Sequence, residues 1–317
     1  MKRFKSILVT TDTRLESHPI VDEAAEVALR NDASLKIVDV VPPLPWIARI
    51  TMEDPGHIAQ LMVHEKAEEL EALAKPIRER GVQVETKVLS GTTSVEIIRE
   101  VLRGQHDLVL RVAKAKSSRS TGFFGSTGIE LLRKCPCAVW LVCSTTSAQF
   151  KHVLVCVDTC CDAEVNRKLD QKVFEISSDI SRTHRADLSV VHAWSIDGEQ
   201  FLRKRMSLAE LVEIERKRRS DAKWRLDEFL AKCDASVEKS QVHLVKGEAC
   251  DVIPMTATEC NADLVVMGMV VRSGPAGWIM GNVTEQVLAS LECSVLALKP
   301  DGFVSPITIK DKETASV

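Results

Sequence analysis

Three groups of side chains have the type and spacing to do chemistry. The first is a glycine-rich stretch that runs from Gly268 through Val271, Gly274 and Gly277 to Gly281, Asn282 and Val283, and leads straight into a helical pattern. Glycines ahead of a helix let backbone N–H groups approach an anion, and the helix end favours negative charge. A phosphate suits such a loop, though the same composition also serves as a plain connection. The second group is two carboxylates, Asp12 and Asp158, each closing a short apolar run, ILVTTD and VLVCVD. An aspartate there either faces a ligand or caps the next turn. The third is Cys156, Cys160 and Cys161, with His192 on a nearby strand-like run. Soft ligands this close could hold zinc, and exposed thiols oxidise. No CxxC pair supports a metal site, and none is assigned. No GxSxG elbow and no Walker loop is present, so no catalytic residue is assigned either.

The elements that position these residues come in two copies. HDLVLRVAK (106–114) matches ADLVVMGMV (262–270), and GSTGIELLRKCPCAVWLV (125–142) matches GNVTEQVLASLECSVLAL (281–298). KSILVTTD (5–12) matches KHVLVCVD (151–158). The offset is 156 residues for Asp107 and Asp263 but 146 for Asp12 and Asp158. The second copy therefore carries about ten more residues in its first half. Three matched blocks in one order mark a duplication. The small, polar run Ser144 to Gln149 reads as the linker, which gives domains at 1–146 and 150–300 and a tail over 301–317 without periodicity.

Each copy alternates strand and helix. In copy one, strands are read at 5–12, SLKIVDVV, VQVETKVL, DLVLRVA and CAVWLVC. Helices are read at PIVDEAAEVALRN, 53–80, SVEIIREVLRG (with Gly104 just past its end) and GIELLRK. Copy two repeats the pattern, with helices over 163–184 and 207–232. Apolar strands between helices imply a parallel sheet covered on both faces, with ligands at the carboxyl ends of its strands. The loops after the first and fourth strands thus carry the functional question.

Composition narrows the classes. The chain has 317 residues, 45% hydrophobic and 27% charged, with net charge −3. Nothing pulls it globally toward nucleic acid or an anionic membrane, and neither partner is expected. The N-terminal apolar run is too short for a secretory signal. Of the ten cysteines, Cys137, Cys143, Cys156 and Cys293 fall in apolar strand-like runs, as reduced core residues of a cytoplasmic protein do. The histidines are scattered, with His64 and His243 read as surface or structural. The basic runs Arg203 to Arg205 and Arg216 to Arg219 lie beside Glu210, Glu213 and Glu215 and read as a solvated helix face.

The glycine-rich stretch resembles that of the universal stress protein family, which carries Gly-x-x-Gly, nine residues, then Gly-Ser or Gly-Thr. Here the order is Gly268, two residues, Val271, nine residues, Gly281-Asn282. It departs at Val271 and Asn282. In copy one, Arg111 and Lys114 stand at the first two glycine places, and ten residues separate Lys114 from Gly125-Ser126. Those two cations attract an anion through their side chains, or Lys114, Lys116 and Arg119 form a solvated basic loop. The tandem layout is similar to the two-domain, UspE type, and the resemblance runs to about residue 306.

The resemblance implies an adenine nucleotide alpha hydrolase-like α/β fold in each copy: five parallel strands in the order 3-2-1-4-5 with helices on both faces. It implies that Asp158 contacts a nucleoside and that the backbone of Ala193 meets adenine. Gly268, Gly281, Asn282 and the N–H of Val283 would meet phosphate. Asp12 and Val40 are the copy-one equivalents. ATP or another adenine nucleotide is then the candidate ligand of domain two, and no cofactor is assigned firmly. Single-domain members pair through their last strands, so 137–143 and 293–299 are expected to pair inside the chain. Further homodimerisation stays open.

The expected function is a non-enzymatic cytoplasmic stress-response protein, an internal pseudo-dimer with a small-ligand site in its second domain. Two alternatives stand: an ATP-binding protein with slow hydrolysis, against which the side chain of Val271 counts, and a cysteine-based metal or redox sensor.

Overall fold

The structure, a computed structural model of the chain, describes residues 3–13, 15–43, 54–113, 124–143, 150–160, 163–233, 238, 241–269, 271–274, 277–280 and 282–309. They fall into two compact units. One is Met1–Ala148 with Pro275–Trp278 and Phe303–Val317, the other Gln149–Gly274 with Ile279–Gly302.

In unit one the order is β1 (Ser6–Thr10), α1 (Pro19–Asn31), β2 (Ser34–Val41), α2 (Pro55–Glu79), β3 (Val84–Ser90), α3 (Thr93–Gly104), β4 (Leu108–Ala113), α4 (Gly125–Lys134) and β5 (Ala138–Cys143). The strands lie in the order β3-β2-β1-β4-β5, and every neighbouring pair is parallel. Ile7, Leu8 and Val9 are each 0% exposed. Successive strand residues face opposite sides, so both faces of this sheet are covered.

From residue 150 on, the chain runs β6 (His152–Cys156), α5 (Glu164–His184), β7 (Asp187–Trp194), α6 (Glu199–Arg203), α7 (Leu208–Lys232), β8 (Val242–Lys246), α8 (Ala249–Glu259), β9 (Leu264–Gly268), β10 (Val271–Gly274), β11 (Gly277–Met280), α9 (Asn282–Ser290) and β12 (Ser294–Leu298), all in unit two except the first half of β11. Its sheet order is β8-β7-β6-β9-β12, again parallel throughout. Val153, Leu154 and Val155 are buried like their copy-one counterparts. Among the described residues no helix is long and apolar enough to cross a membrane.

The duplicated aspartates explain part of the repeat. Asp107 accepts the backbone N–H groups of Lys5 (2.7 Å) and Ser6 (3.2 Å). Asp263 does the same for Lys151 (2.6 Å) and His152 (3.1 Å). Each carboxylate satisfies donors at the start of its unit's first strand, where no ladder partner exists.

Several local expectations change. Gly104 ends α3 as a helical residue, and Gln105 behind it takes the left-handed conformation (φ 49°). Glycine is needed at 104 for a different reason: a Cβ there would lie 2.4 Å from Nε2 of His106. Asp32 (φ 53°), Arg185 (φ 55°) and Asn261 (φ 50°) also turn left-handed directly or closely after a helix. The glycine-rich stretch, read as a loop, contains the two short strands β10 and β11, which form a sheet of their own. The segment after Pro300, read as a loose tail, has Phe303 and Ser305 buried, and Arg99 donates to the Thr308 carbonyl at 3.4 Å.

Candidate functional site

The carboxyl edge of unit two collects three of the six predicted contacts. Cys156 on β6 is level with Val191 on β7 and Met267 on β9. Asp158, Ala193 and Gly268 therefore lie within one or two residues of one rim. Asp158 is exposed, and its Oδ1 accepts the backbone N–H of Cys160 at 3.3 Å. Its carboxylate thus caps the turn after β6. Ala193 is half-buried. Val283 is 46% exposed in the first turn of α9, which Asn282 opens. Gly281 lies outside the described residues, as do Lys114, Lys116, Arg119 and Cys161.

Gly268 has a use that the sequence did not suggest. A Cβ on it would sit 2.8 Å from Cδ2 and 2.9 Å from Cγ of Leu169. Leu169 of α5 packs into the space a side chain at 268 would take, so glycine serves packing at this position.

Below this rim burial disfavours charge. Asp170 on α5 is buried, and burial pushes its carboxyl up to about 7. A hydrogen bond from the Asp158 backbone opposes the rise, and the Asp158 charge adds to it. Burial also holds the Cys156 thiol far above its ordinary value. His192, 1% exposed, has Nδ1 3.0 Å from the Val157 carbonyl oxygen and Nε2 3.3 Å from Sγ of Cys160. A carbonyl only accepts, so Nδ1 carries the proton and Nε2 presents its lone pair to the thiol. Burial depresses the His192 pKa and keeps the ring neutral. Among the described residues no group of three or more His, Cys, Asp or Glu side chains is gathered to hold a metal ion.

The corresponding rim of unit one is built from charges. Asp39, buried at the end of β2, accepts from the Thr13 backbone (2.9 Å), the Thr13 hydroxyl (2.8 Å) and the ammonium of Lys66 on α2. Lys66 also donates to Thr13 Oγ1 at 3.0 Å. The N–H of Val40 donates to Asp39 Oδ1 at 2.6 Å. Arg111 lies on β4, within the strand read from the sequence, and donates to Thr10 Oγ1 at 2.6 Å. Burial lowers its pKa, against the attraction of Asp12 and Asp39.

A cavity of about 580 Å³ lies at the opposite, amino-terminal end of β1 to β3, lined by Ser6, Ser34, Lys36, Glu85, Gly104 and His106 among others. Lys36 is paired there with Glu85 (2.9 Å) and Glu100 (3.1 Å). The ligand loops are at the other end of the strands.

The universal stress protein family model matches residues 3–142 and again 149–299. The chain belongs to the universal stress protein family. Over 326 residues it is 28% identical to Universal stress protein E of Escherichia coli K12, covering 99% of each chain. It is 27% identical to Universal stress protein E of Salmonella typhi, covering 99% of this chain and all of the relative. A crystal structure of a functionally unknown protein of Pseudomonas aeruginosa PAO1 shares the fold at TM-score 0.72 and 23% identity, over 95% of this chain and 94% of that one. The tandem layout is thus that of a two-domain universal stress protein.

Sequence reading of this universal stress protein missed Asp170, Lys66 and Asp39. A signal existed for two of them. Asp39 interrupts the apolar run of β2. Asp170 sits on the same helical stripe as Val173, Phe174 and Ser177, all buried.

Proposed function

We propose that the chain is a non-enzymatic, cytoplasmic stress-response protein whose first domain is a closed scaffold and whose second domain receives a small ligand. The observation behind this reading is the contrast between the two rims. In domain one the place of a ligand is taken by the Lys66–Asp39–Thr13 group and by Arg111. In domain two Asp158 and Val283 are exposed and Ala193 is half-buried at the equivalent edge. An adenine nucleotide is the proposed ligand class, met by Asp158, Ala193, Gly268, Gly281, Asn282 and Val283. Leu169 over Gly268 makes that binding weak in the native protein. Calorimetric titration with ATP, together with native mass spectrometry of protein purified without added ligand, tests the reading. Nucleotide bound tightly in domain one would overturn it, and phosphate release at a steady rate would favour an ATPase.

β5 and β12 each close one edge of their own five-stranded sheet. Exposed edges invite pairing, and pairing of these two within the chain is part of the proposal. Hydrogen exchange in a monomeric sample decides: β5 and β12 amides should exchange as slowly as those of β1 and β6.

A further inference from the structure

Cys160 does not stand alone in the turn after β6. It is exposed, and its sulfur lies 3.3 Å from Nε2 of a histidine that is itself only 1% exposed. The other ring nitrogen is anchored on the Val157 carbonyl at 3.0 Å, which fixes the tautomer and aims the free lone pair of Nε2 at the thiol. A nucleophile touching a base, with the base oriented by a third group, is the arrangement that activates a thiol. The proposed ligand-binding role uses none of it.

We propose that Cys160 is a reactive thiol for small, neutral hydroperoxides, with His192 as its proton acceptor. The charge of the rim selects the class. Asp158 Oδ1 accepts the Cys160 backbone N–H at 3.3 Å, which puts a carboxylate in the same turn as the thiol. A carboxylate in that turn repels anionic oxidants such as glutathione disulfide, whereas a hydroperoxide is neutral and small. His192 is buried neutral, so the proton leaves as the sulfur attacks and not beforehand. The sulfur displaces the terminal oxygen: an S–O bond forms, the O–O bond breaks, and the thiol proton passes by way of Nε2 to the departing alkoxide or hydroxide. The thiol is oxidised by two electrons to the sulfenic acid, and the hydroperoxide is reduced to an alcohol or water. The added oxygen ends the S–H···N contact, so the turn carrying Asp158 loses one of its ties.

The test uses the full chain in a Cys161→Ser background, because Cys161 shares any peptide with Cys160. Hydrogen peroxide is added with a sulfenic-acid trap, and labelled cysteines are quantified by peptide mass spectrometry. Cys160 should be trapped about tenfold or more faster than Cys250, the low end of what a positioned base contributes. His192→Asn keeps an N–H for the Val157 carbonyl but removes the base, and should slow the reaction by about tenfold or more. Circular dichroism establishes that this variant is folded. If it is not, the Cys160 to Cys250 ratio in the His192-containing chain decides by itself. Equal rates at the two cysteines, or an unchanged rate in folded His192→Asn, overturn the proposal. Glutathione disulfide reacting faster than peroxide at equal concentration overturns the choice of oxidant. None of these outcomes depends on nucleotide binding.

Discussion

The two rims of this duplicated protein solve one problem in opposite ways. Both lie where a parallel sheet ends and leaves polar backbone to satisfy. In unit one the space is closed by ionised groups: Asp39 with Lys66, and Arg111 reaching back to Thr10. In unit two it is lined by groups whose charged forms burial disfavours: Asp170, His192 and Cys156. An ionised cluster is hard to alter, because removing one member strands a charge. A neutral one tolerates change, because each group is already close to its uncharged form. The charged rim is therefore suited to hold shape, and the neutral rim is the one where chemistry can vary.

The largest expected effect breaks the charged rim. Lys66→Met should destabilise the protein by about 3–5 kcal/mol, since Asp39 is left buried without its cation. Urea denaturation measures it. Asp39→Asn added to Lys66→Met should recover a large part of the loss. A cost near zero for the single change would mean that the cluster is solvated and the contrast between rims is false.

The next effect tests the neutral rim through pH. The Asp170 carboxyl is raised in the folded protein from about 4 to about 7. Such a group stabilises the fold fully below its unfolded pKa, and the contribution is lost as pH rises through about 7. Glu23 on α1 of unit one, also raised to about 7 by burial, acts in the same direction. Asp170→Asn should therefore stabilise the protein more at pH 8 than at pH 5, by about 2–3 kcal/mol, as read from denaturation curves at the two pH values. Destabilisation at pH 8 would show that Asp170 is ionised and paired, as Asp39 is.

A smaller effect concerns ligand capacity. Val271→Gly with Asn282→Ser restores the family pattern in unit two and should strengthen ATP binding by about 1–3 kcal/mol, from relieved crowding and an improved hydrogen bond. Adding Leu169→Ala uncovers Gly268 and should strengthen it further. Calorimetry on the three proteins gives the answer, and no gain in any of them would make unit two a scaffold as closed as unit one. The smallest effect is at Asp158. Losing one exposed turn-capping bond in Asp158→Ala should cost about 0.5–1 kcal/mol in a thermal melt.

The alternation of short apolar runs and amphipathic segments made the sheet readable from the sequence, and three matched blocks made the duplication readable. What stayed hidden depended on contacts between distant segments. The bond of Arg111 stayed hidden because its register partner across the sheet is Thr10, about a hundred residues away. The packing use of Gly268 stayed hidden because nothing in its neighbourhood announces Leu169. Gly104 read as a helix stop, since a glycine near a helix end usually is one, and its real neighbour, His106, lies just past the turn. Asp39 could be seen as a break in an apolar run, but its pairing with Lys66 across 27 residues could not. The Cys160–His192 contact was half visible: both residues stood out by type, and only the strand pairing set their distance.

The four left-handed residues at helix exits carry a practical consequence. Asp32 and Arg185 leave the first helix of each copy, and Gln105 and Asn261 leave the helix before the fourth strand. A side chain in that conformation costs about 1–2 kcal/mol that glycine avoids, less for Asn and Asp, which tolerate it. Gln105 and Arg185 are thus two sites where a glycine is expected to raise the melting temperature. Neither is part of either rim, so thermal robustness can be engineered into this scaffold independently of whatever its two mouths bind or react with.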